Sequence, residues 1–421
     1  MEYGLIGEKL GHSFSKEIHN LIGDYTYELK EIPRDELESF IKAKDFKGIN
    51  VTIPYKQQLI PYLDYIDESA EKIGAVNTVV NKDGKLYGYN TDFIGLKRLI
   101  LKNGFNLEGK KVLILGTGGT CQTAKAVVSS LNAGEVFVVS RKASESSDSN
   151  SGSSCSGQIT YQQAETQHKD ADFIINTTPC GMFPASDASP LNLEPFTQLE
   201  GVVDVIYNPL RTKLVLQAKS RGINACGGLY MLVQQAIAAS ELFFDETIEA
   251  DKADSIYKKI LSGKQNIVLI GMPGAGKSTV GRLIAKDLMR TFVDTDMLIS
   301  EREKMRPAEI ISEKGESYFR NVETEIIKEI SSRNGLVIAT GGGAVLKPEN
   351  VIYLKNNGVL FFIDRDISRI KPTSDRPLSN NDSKLKELYK VRYPIYTSCA
   401  DFSIKSDDFI SHTVAAIEEK L

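Results

Sequence analysis

Gly271-Met-Pro-Gly-Ala-Gly276-Lys277-Ser278-Thr279 follows the apolar run Ile267-Val-Leu-Ile270 and precedes a helical pattern from Val280 to Leu288. This G-x-x-x-x-G-K-S spacing between a strand and a helix is that of a phosphate-binding loop. Gly274 and Gly276 let the backbone N–H groups turn inward as an anion nest. Lys277 then reaches the outer phosphates, and Ser278, beside Thr279, offers its hydroxyl to Mg²⁺. A nucleoside triphosphate site is expected here, although a long stretch of chain precedes it.

A length of 421 residues corresponds to about two to four domains. The net charge is -4 and no basic block occurs, so the electrostatic footprint of a nucleic-acid binder is missing. Residue 1 leads directly into Glu2-Tyr-Gly-Leu-Ile6 with no leader pattern, and no apolar run approaches the ~20 residues of a membrane span. A cytoplasmic protein without a membrane partner is expected. Cys121, Cys155, Cys180, Cys226 and Cys399 form no C-x-x-C pair and lie far from the histidines, which reads as free thiols.

Strand-like and helix-like segments alternate almost throughout, which favours α/β layers. The expected division is a substrate-binding domain at 1–105, a dinucleotide-binding domain at 106–230, a returning helix and linker at 231–264, and a P-loop domain at 265–421. Residues 144–157 are almost all Ser, Gly, Asp and Asn, with little to bury, and read as a mobile insertion.

A second glycine turn, Gly116-Thr-Gly118-Gly119-Thr-Cys121, follows the strand Val112 to Leu115 and opens a helix rich in Ala and Val. Cys121 occupies the sixth position of G-x-G-x-x-G, so the motif draws its weight from the strand-turn-helix context. The next strand, Glu135 to Val139, ends where a ribose-binding acid would stand for NAD. Ser140-Arg141-Lys142 stands there instead. Two cations and a hydroxyl suit a 2′-phosphate, so NADP is preferred, the other reading being solvated loop charges.

Around this turn the chain resembles shikimate dehydrogenase over residues 1 to about 250. The resemblance rests on Gly11-His-Ser13-Phe-Ser15, Asn50-Val-Thr52-Ile-Pro-Tyr-Lys56, Gly74-Ala-Val-Asn77-Thr, Gly88-Tyr-Asn-Thr-Asp92, Asn176-Thr-Thr-Pro, Asp204-Val-Ile-Tyr207-Asn-Pro and Gly227-Gly-Leu-Tyr-Met-Leu-Val-Gln-Gln235. It implies that Ser13 and Ser15, read as an extended segment with Ser15 as a possible helix cap, hold a substrate carboxylate. It implies too that Thr52, Asn77, Asp92 and Gln235 serve ring hydroxyls, and that Lys56, paired with or oriented by Asp92, acts as proton donor or electrostatic stabiliser. Gly227 permits close backbone approach on the cofactor side; Met182 and Tyr207 read as contacts of the nicotinamide or substrate, with a core position as the alternative.

Beyond the P-loop, Thr291-Phe-Val-Asp294-Thr-Asp296 reads as a strand whose alternate acids share one face. It is followed by Gly315-Glu-Ser-Tyr-Phe319-Arg320-Asn-Val-Glu323, Thr340-Gly341-Gly342-Gly343, Arg376-Pro-Leu and Arg392-Tyr-Pro-Ile-Tyr396. These residues resemble shikimate kinase over about 265 to 421. The resemblance implies that Asp296 binds ring hydroxyls and receives the proton, that Asp294 serves the metal, and that Arg320 and Arg392 clamp the carboxylate. By the same token Gly341 to Gly343 approach the ring, and Arg376 belongs to a closing lid.

The expectation is a two-domain dehydrogenase, an α/β substrate domain plus a Rossmann-type domain, followed by a P-loop NTPase-type parallel α/β kinase domain. Its reactions would be reduction of 3-dehydroshikimate to shikimate with NADP(H), then phosphorylation of shikimate with ATP and Mg²⁺. A metabolite sensor is disfavoured because Lys56, Asp92, Lys277, Asp296 and Arg376 are all present. The Arg141-Lys142 pair argues against a quinate enzyme using NAD.

Overall fold

The computed structural model describes residues 1–11, 13–142, 155–370 and 382–421. Arg376 and most of the serine-rich segment, 143–154, lie outside the described residues. The chain divides into two compact units, Met1–Met182 with Ala188–Ile260, and Phe183–Asp187 with Leu261–Leu421.

The first unit contains two sheets. In the first, β1 (Tyr3–Gly7), β2 (Tyr27–Glu31), β3 (Gly48–Val51), β4 (Tyr65–Ile66), β5 (Thr78–Lys82) and β6 (Lys85–Tyr89) lie in the order β2-β1-β3-β5-β6-β4. β1 is parallel to β2 and β3, whereas β5 runs antiparallel to β3 and β6. The β5-β6 reversal is a two-residue turn at Asp83-Gly84, both with positive φ, as Asp-Gly between strands requires.

The second sheet is parallel throughout. It comprises β7 (Lys111–Leu115), β8 (Glu135–Ser140), β9 (Gly157–Thr160), β10 (Phe173–Asn176), β11 (Gly201–Asp204) and β12 (Asn224–Cys226), ordered β12-β11-β10-β7-β8-β9. Val112 and Ile114 pack into one core with Ala124 and Val127, while Leu113 and Leu115 enter another with Leu214 and Val215. Both faces of β7 are therefore covered, which is why its sequence is continuously apolar. The strand order changes direction between β7 and β10, and the Gly116 turn lies at that switch point.

The second unit holds β13 (Asn266–Ile270), β14 (Phe292–Asp294), β15 (Val337–Ala339), β16 (Gly358–Arg365) and β17 (Phe402–Ser406), all parallel in the order β14-β15-β13-β16-β17. The P-loop leaves the C-terminal end of the central strand β13 and enters helix Lys277–Asp287. The doubly wound second sheet and the parallel P-loop sheet are those expected of the fold class. Two local expectations differ. Phe14 is helical and Ser15 already begins helix Ser15–Ile22, so the Ser13 to Ser15 segment is not extended and Ser15 is not the cap. Likewise β14 ends at Asp294, and Asp296 belongs to helix Thr295–Glu303, so strand alternation does not relate the two acids. Asp294 caps that helix, accepting from the N–H groups of Asp296 and Met297.

Candidate active sites

A cleft of about 790 Å³ in the first unit is lined by Ser13, Ser15, Thr52, Lys56, Asn77, Asp92 and Gln235 from the substrate side. Gly119, Thr120, Met182 and Tyr207 line it from the side of the second sheet. Lys56 Nζ donates to Asp92 Oδ2 at 2.5 Å, and both side chains are largely withdrawn from solvent. Asp92 stands in the first turn of helix Thr91–Lys102, which Asn90 caps by accepting from Phe93 N–H. Tyr55, the chain neighbour of Lys56, is fully buried, with its hydroxyl donating to the Ile32 carbonyl. Ser13 Oγ accepts from Ser15 N–H at 3.2 Å, and Gln235 Oε1 lies 3.5 Å from Thr91 Oγ1.

Gly116 has φ +105°, a conformation that favours glycine, and Gly118 caps helix Gly119–Ser130. A Cβ at Gly118 or Gly119 would meet nothing within 4 Å, so this helix N-terminus faces open space suited to a pyrophosphate. Ser140 ends β8 and accepts from Gln158 Nε2, while Arg141 and Lys142 are exposed; none of the three is among the cleft-lining residues. Gly227 also lies off the cleft, where a Cβ would stand 2.5 Å from the Leu210 carbonyl oxygen. Asp204 is buried at the end of β11 and accepts from Asn176 Nδ2, Ile206 N–H and Thr212 Oγ1. Burial raises its carboxyl to about 6 despite those bonds.

In the second unit Gly276 caps the P-loop helix with φ +96°. Lys277 Nζ donates to the carbonyls of Gly271 and Met272 at 2.9 and 3.0 Å, within the loop. Ser278 Oγ donates to Asp294 Oδ2 at 2.6 Å, which brings one hydroxyl and one carboxylate together, hard oxygen donors of the kind Mg²⁺ takes. A Cβ on Gly341 would stand 2.7 Å from Asp296 Oδ1 and 2.8 Å from Glu323 Oε1. Gly343 faces the guanidinium of Arg320, which donates to Glu323 Oε2 at 2.7 Å and to Glu316. Gly342 offers its carbonyl to the Tyr396 hydroxyl. Arg392, one turn before Tyr396 on helix Asp382–Cys399, is buried.

Glu323 is the residue that the sequence reading quoted without giving it a function. It is completely buried, and its Oε1 has no hydrogen-bond partner among the described residues. Burial raises its carboxyl above the usual range while Arg320 pulls it back. The signal was its i,i+3 spacing from Arg320 on helix Glu316–Ser331. Asn50 was passed over in the same way; it lines the first cleft within a motif quoted for Thr52 and Lys56.

Fold and sites define a class, a Rossmann-type oxidoreductase joined to a P-loop phosphotransferase. The family model for shikimate kinase matches residues 273–421, and that for the shikimate dehydrogenase substrate-binding domain matches residues 5–79. The NADP(+) shikimate dehydrogenase of Clostridium beijerinckii is 38% identical over 267 residues, covering 61% of this chain and 96% of that protein. A solved chorismate mutase/shikimate 5-dehydrogenase fusion protein from Clostridium acetobutylicum is 35% identical with a TM-score of 0.56, over 61% of this chain and 96% of that one. Shikimate 5-dehydrogenase of Thermus thermophilus, solved in complex with NADP(H) and shikimate, is 26% identical with a TM-score of 0.53, over 62% and 99%. The chain thus belongs to the shikimate dehydrogenase family in its N-terminal part and carries a shikimate kinase domain at its C-terminal end.

Proposed function

We propose that the first unit reduces 3-dehydroshikimate to shikimate and the second phosphorylates the shikimate 3-hydroxyl, two consecutive steps in one chain. The observation that carries the reading is the Lys56–Asp92 pair in a cleft that also gathers Ser13, Ser15, Thr52, Asn77 and Gln235. When bound, NADPH supplies the hydride, and ATP with Mg²⁺ the phosphoryl group. The helix N-terminus at Gly118 and Gly119 would hold the NADP(H) pyrophosphate, and Ser140 at the end of β8 with Arg141 and Lys142 just after it would serve a 2′-phosphate.

In the first site Ser13 and Ser15 would donate to the substrate carboxylate, and Thr52, Asn77 and Gln235 would engage the ring hydroxyls. Lys56 would deliver a proton to the developing alkoxide while Asp92, already its hydrogen-bond acceptor, holds the ammonium in place. In the second, Lys277 and Ser278 would bind phosphate and Mg²⁺, with Asp294 on the metal side. Arg320 and Arg392 would clamp the carboxylate, Asp296 would take the hydroxyl proton, and Gly341 to Gly343 would let the ring approach the backbone. NADPH, ATP and Mg²⁺ are all available in the cytoplasm, and the reading places the protein there. Initial rates with 3-dehydroshikimate plus NADPH, and separately with shikimate plus Mg-ATP, test the proposal. Both reactions are expected, and a folded protein lacking either would remove that half of the reading.

A further inference from the structure

Behind the substrate side of the first cleft lies a buried polar layer that none of the functions above uses. His19, on helix Ser15–Ile22, is completely buried, and its ring stacks on Tyr27 with centroids 3.7 Å apart and 7° between the planes. Its Nδ1 lies 2.5 Å from the Tyr25 hydroxyl, which in turn reaches Ser240. Burial depresses the imidazole to about 3, against a weaker opposing pull from the Asn50 amide, so the plate against Tyr27 is uncharged. Tyr27 is itself buried, and its hydroxyl donates to Asn50 Oδ1 at 2.7 Å.

Asn50 lines the cleft, and its remaining bonds leave no freedom to flip. Nδ2 donates to Thr78 Oγ1 at 3.0 Å and to the Asn77 carbonyl oxygen at 3.4 Å. The Asn77 carbonyl oxygen can only accept, so of the two ends of the Asn50 amide Nδ2 must face it and Oδ1 must face Tyr27. Asn77 has the opposite polarity. Its Oδ1 receives the Thr91 N–H at 2.7 Å, with the hydroxyls of Thr91 and Thr78 each at 3.2 Å, which leaves Nδ2 as its group for a ligand.

We infer that Tyr27, clamped by the His19 stack, is a positioning residue that holds Asn50 in the hydrogen-bond polarity dictated by the Asn77 carbonyl. The Tyr27 hydroxyl steadies Oδ1 while Thr78 and the Asn77 carbonyl keep both Asn50 N–H groups turned into the protein, so that Asn50 meets the ring as an acceptor while Asn77 meets it as a donor. The pair then selects a ring with a hydroxyl at Asn50 over one presenting a carbonyl or nothing there. This inference rests on the cyclic hydroxy-acid substrate proposed above and adds the groups that discriminate its hydroxyls.

The test compares wild type and Tyr27→Phe in full-length protein, with two substrates: 3-dehydroshikimate, and 3-oxocyclohex-1-ene-1-carboxylate, which keeps the carboxylate and ketone but lacks the ring hydroxyls. Tyr27→Phe retains the stacked ring and deletes one hydrogen bond. Its KM for 3-dehydroshikimate should rise about tenfold, the usual scale for one such bond, with kcat and the KM for NADPH nearly unchanged. The KM for the deoxygenated ketone should not change. Equal losses on both substrates would assign Tyr27 a merely structural role, and unchanged KM on both would show that Asn50 needs no such support; either result overturns the inference. Should Tyr27→Phe fail to fold, Asn50→Ser, too short to reach Tyr27, must give the same loss confined to the hydroxylated substrate. A wild type inactive on 3-dehydroshikimate would instead overturn the proposed reaction, and this inference with it.

Discussion

Gly343→Ala tests the kinase site with the smallest possible change. The residue has φ -102°, ψ -1°, which alanine adopts freely, so the backbone need not strain. The added methyl, however, would overlap both terminal nitrogens of Arg320. The guanidinium must leave the place where it donates to Glu323 at 2.7 Å and to Glu316 at 3.1 Å. A hydrogen bond to a charged group is worth about 1.5–3 kcal/mol, and a carboxylate clamp displaced from its substrate forfeits a similar amount. At ~1.4 kcal/mol per factor of ten, the KM for shikimate should rise roughly 10- to 100-fold. ADP release under saturating Mg-ATP measures this, and NADPH oxidation by the same sample reports whether the rest of the chain is intact. A KM for shikimate close to wild type would refute the assignment of Arg320 to the substrate carboxylate.

Lys56→Ala should lower NADPH oxidation by about 10²–10⁴-fold, the range for a lost acid-base group, while phosphorylation of supplied shikimate continues; Asp296→Asn should do the reverse. Loss of both activities in either folded variant would contradict separate active sites. Arg141→Ala should weaken NADP⁺ binding about tenfold in isothermal titration and leave NAD⁺ unaffected, whereas equal NAD⁺ and NADP⁺ affinities in wild type would refute a 2′-phosphate site. His19 gives a pH dependence whose sign is fixed. Its folded pKa of about 3 lies below the ordinary 6.5, so its contribution is complete above pH 6.5 and is lost as pH falls toward 3. At pH 5 the loss is about 2 kcal/mol, so acid should lower the melting temperature of wild type more than that of His19→Phe. Asp204, raised to about 6, acts in the opposite direction between its ordinary 3.8 and 6 but is common to both proteins and cancels in the comparison. Parallel pH profiles would contradict the neutral buried imidazole.

The glycine turns were legible because their geometry is local: Gly116 and Gly276 need positive φ, and strand, loop and helix follow one another in sequence. The second and third sheets were legible from continuous apolar strands such as Lys111–Leu115 and Asn266–Ile270, buried on both faces. The geometry between Lys56 and Asp92 was not, because a 2.5 Å contact between residues 36 apart depends on how β3, β6 and the helix that follows β6 assemble. Asp296 was read on a strand because Phe-Val-Asp is apolar up to the turn, whereas Asp294 can cap a helix and does so. The polarity of Asn50 was hidden for a further reason: it is fixed by the backbone carbonyl of Asn77 and held by Tyr27 on its His19 stack, contacts between segments far apart in sequence.

The central claim is that a single chain carries a cyclic acid through reduction and then phosphorylation. Purified protein given 3-dehydroshikimate, NADPH and Mg-ATP, with quenched samples followed by mass spectrometry, tests it most directly. The account predicts that shikimate appears first and shikimate 3-phosphate accumulates after it, with one NADPH and one ATP consumed per product. NADPH oxidation that ends at unphosphorylated shikimate, or ATP consumption that yields no phosphorylated ring acid, would contradict it.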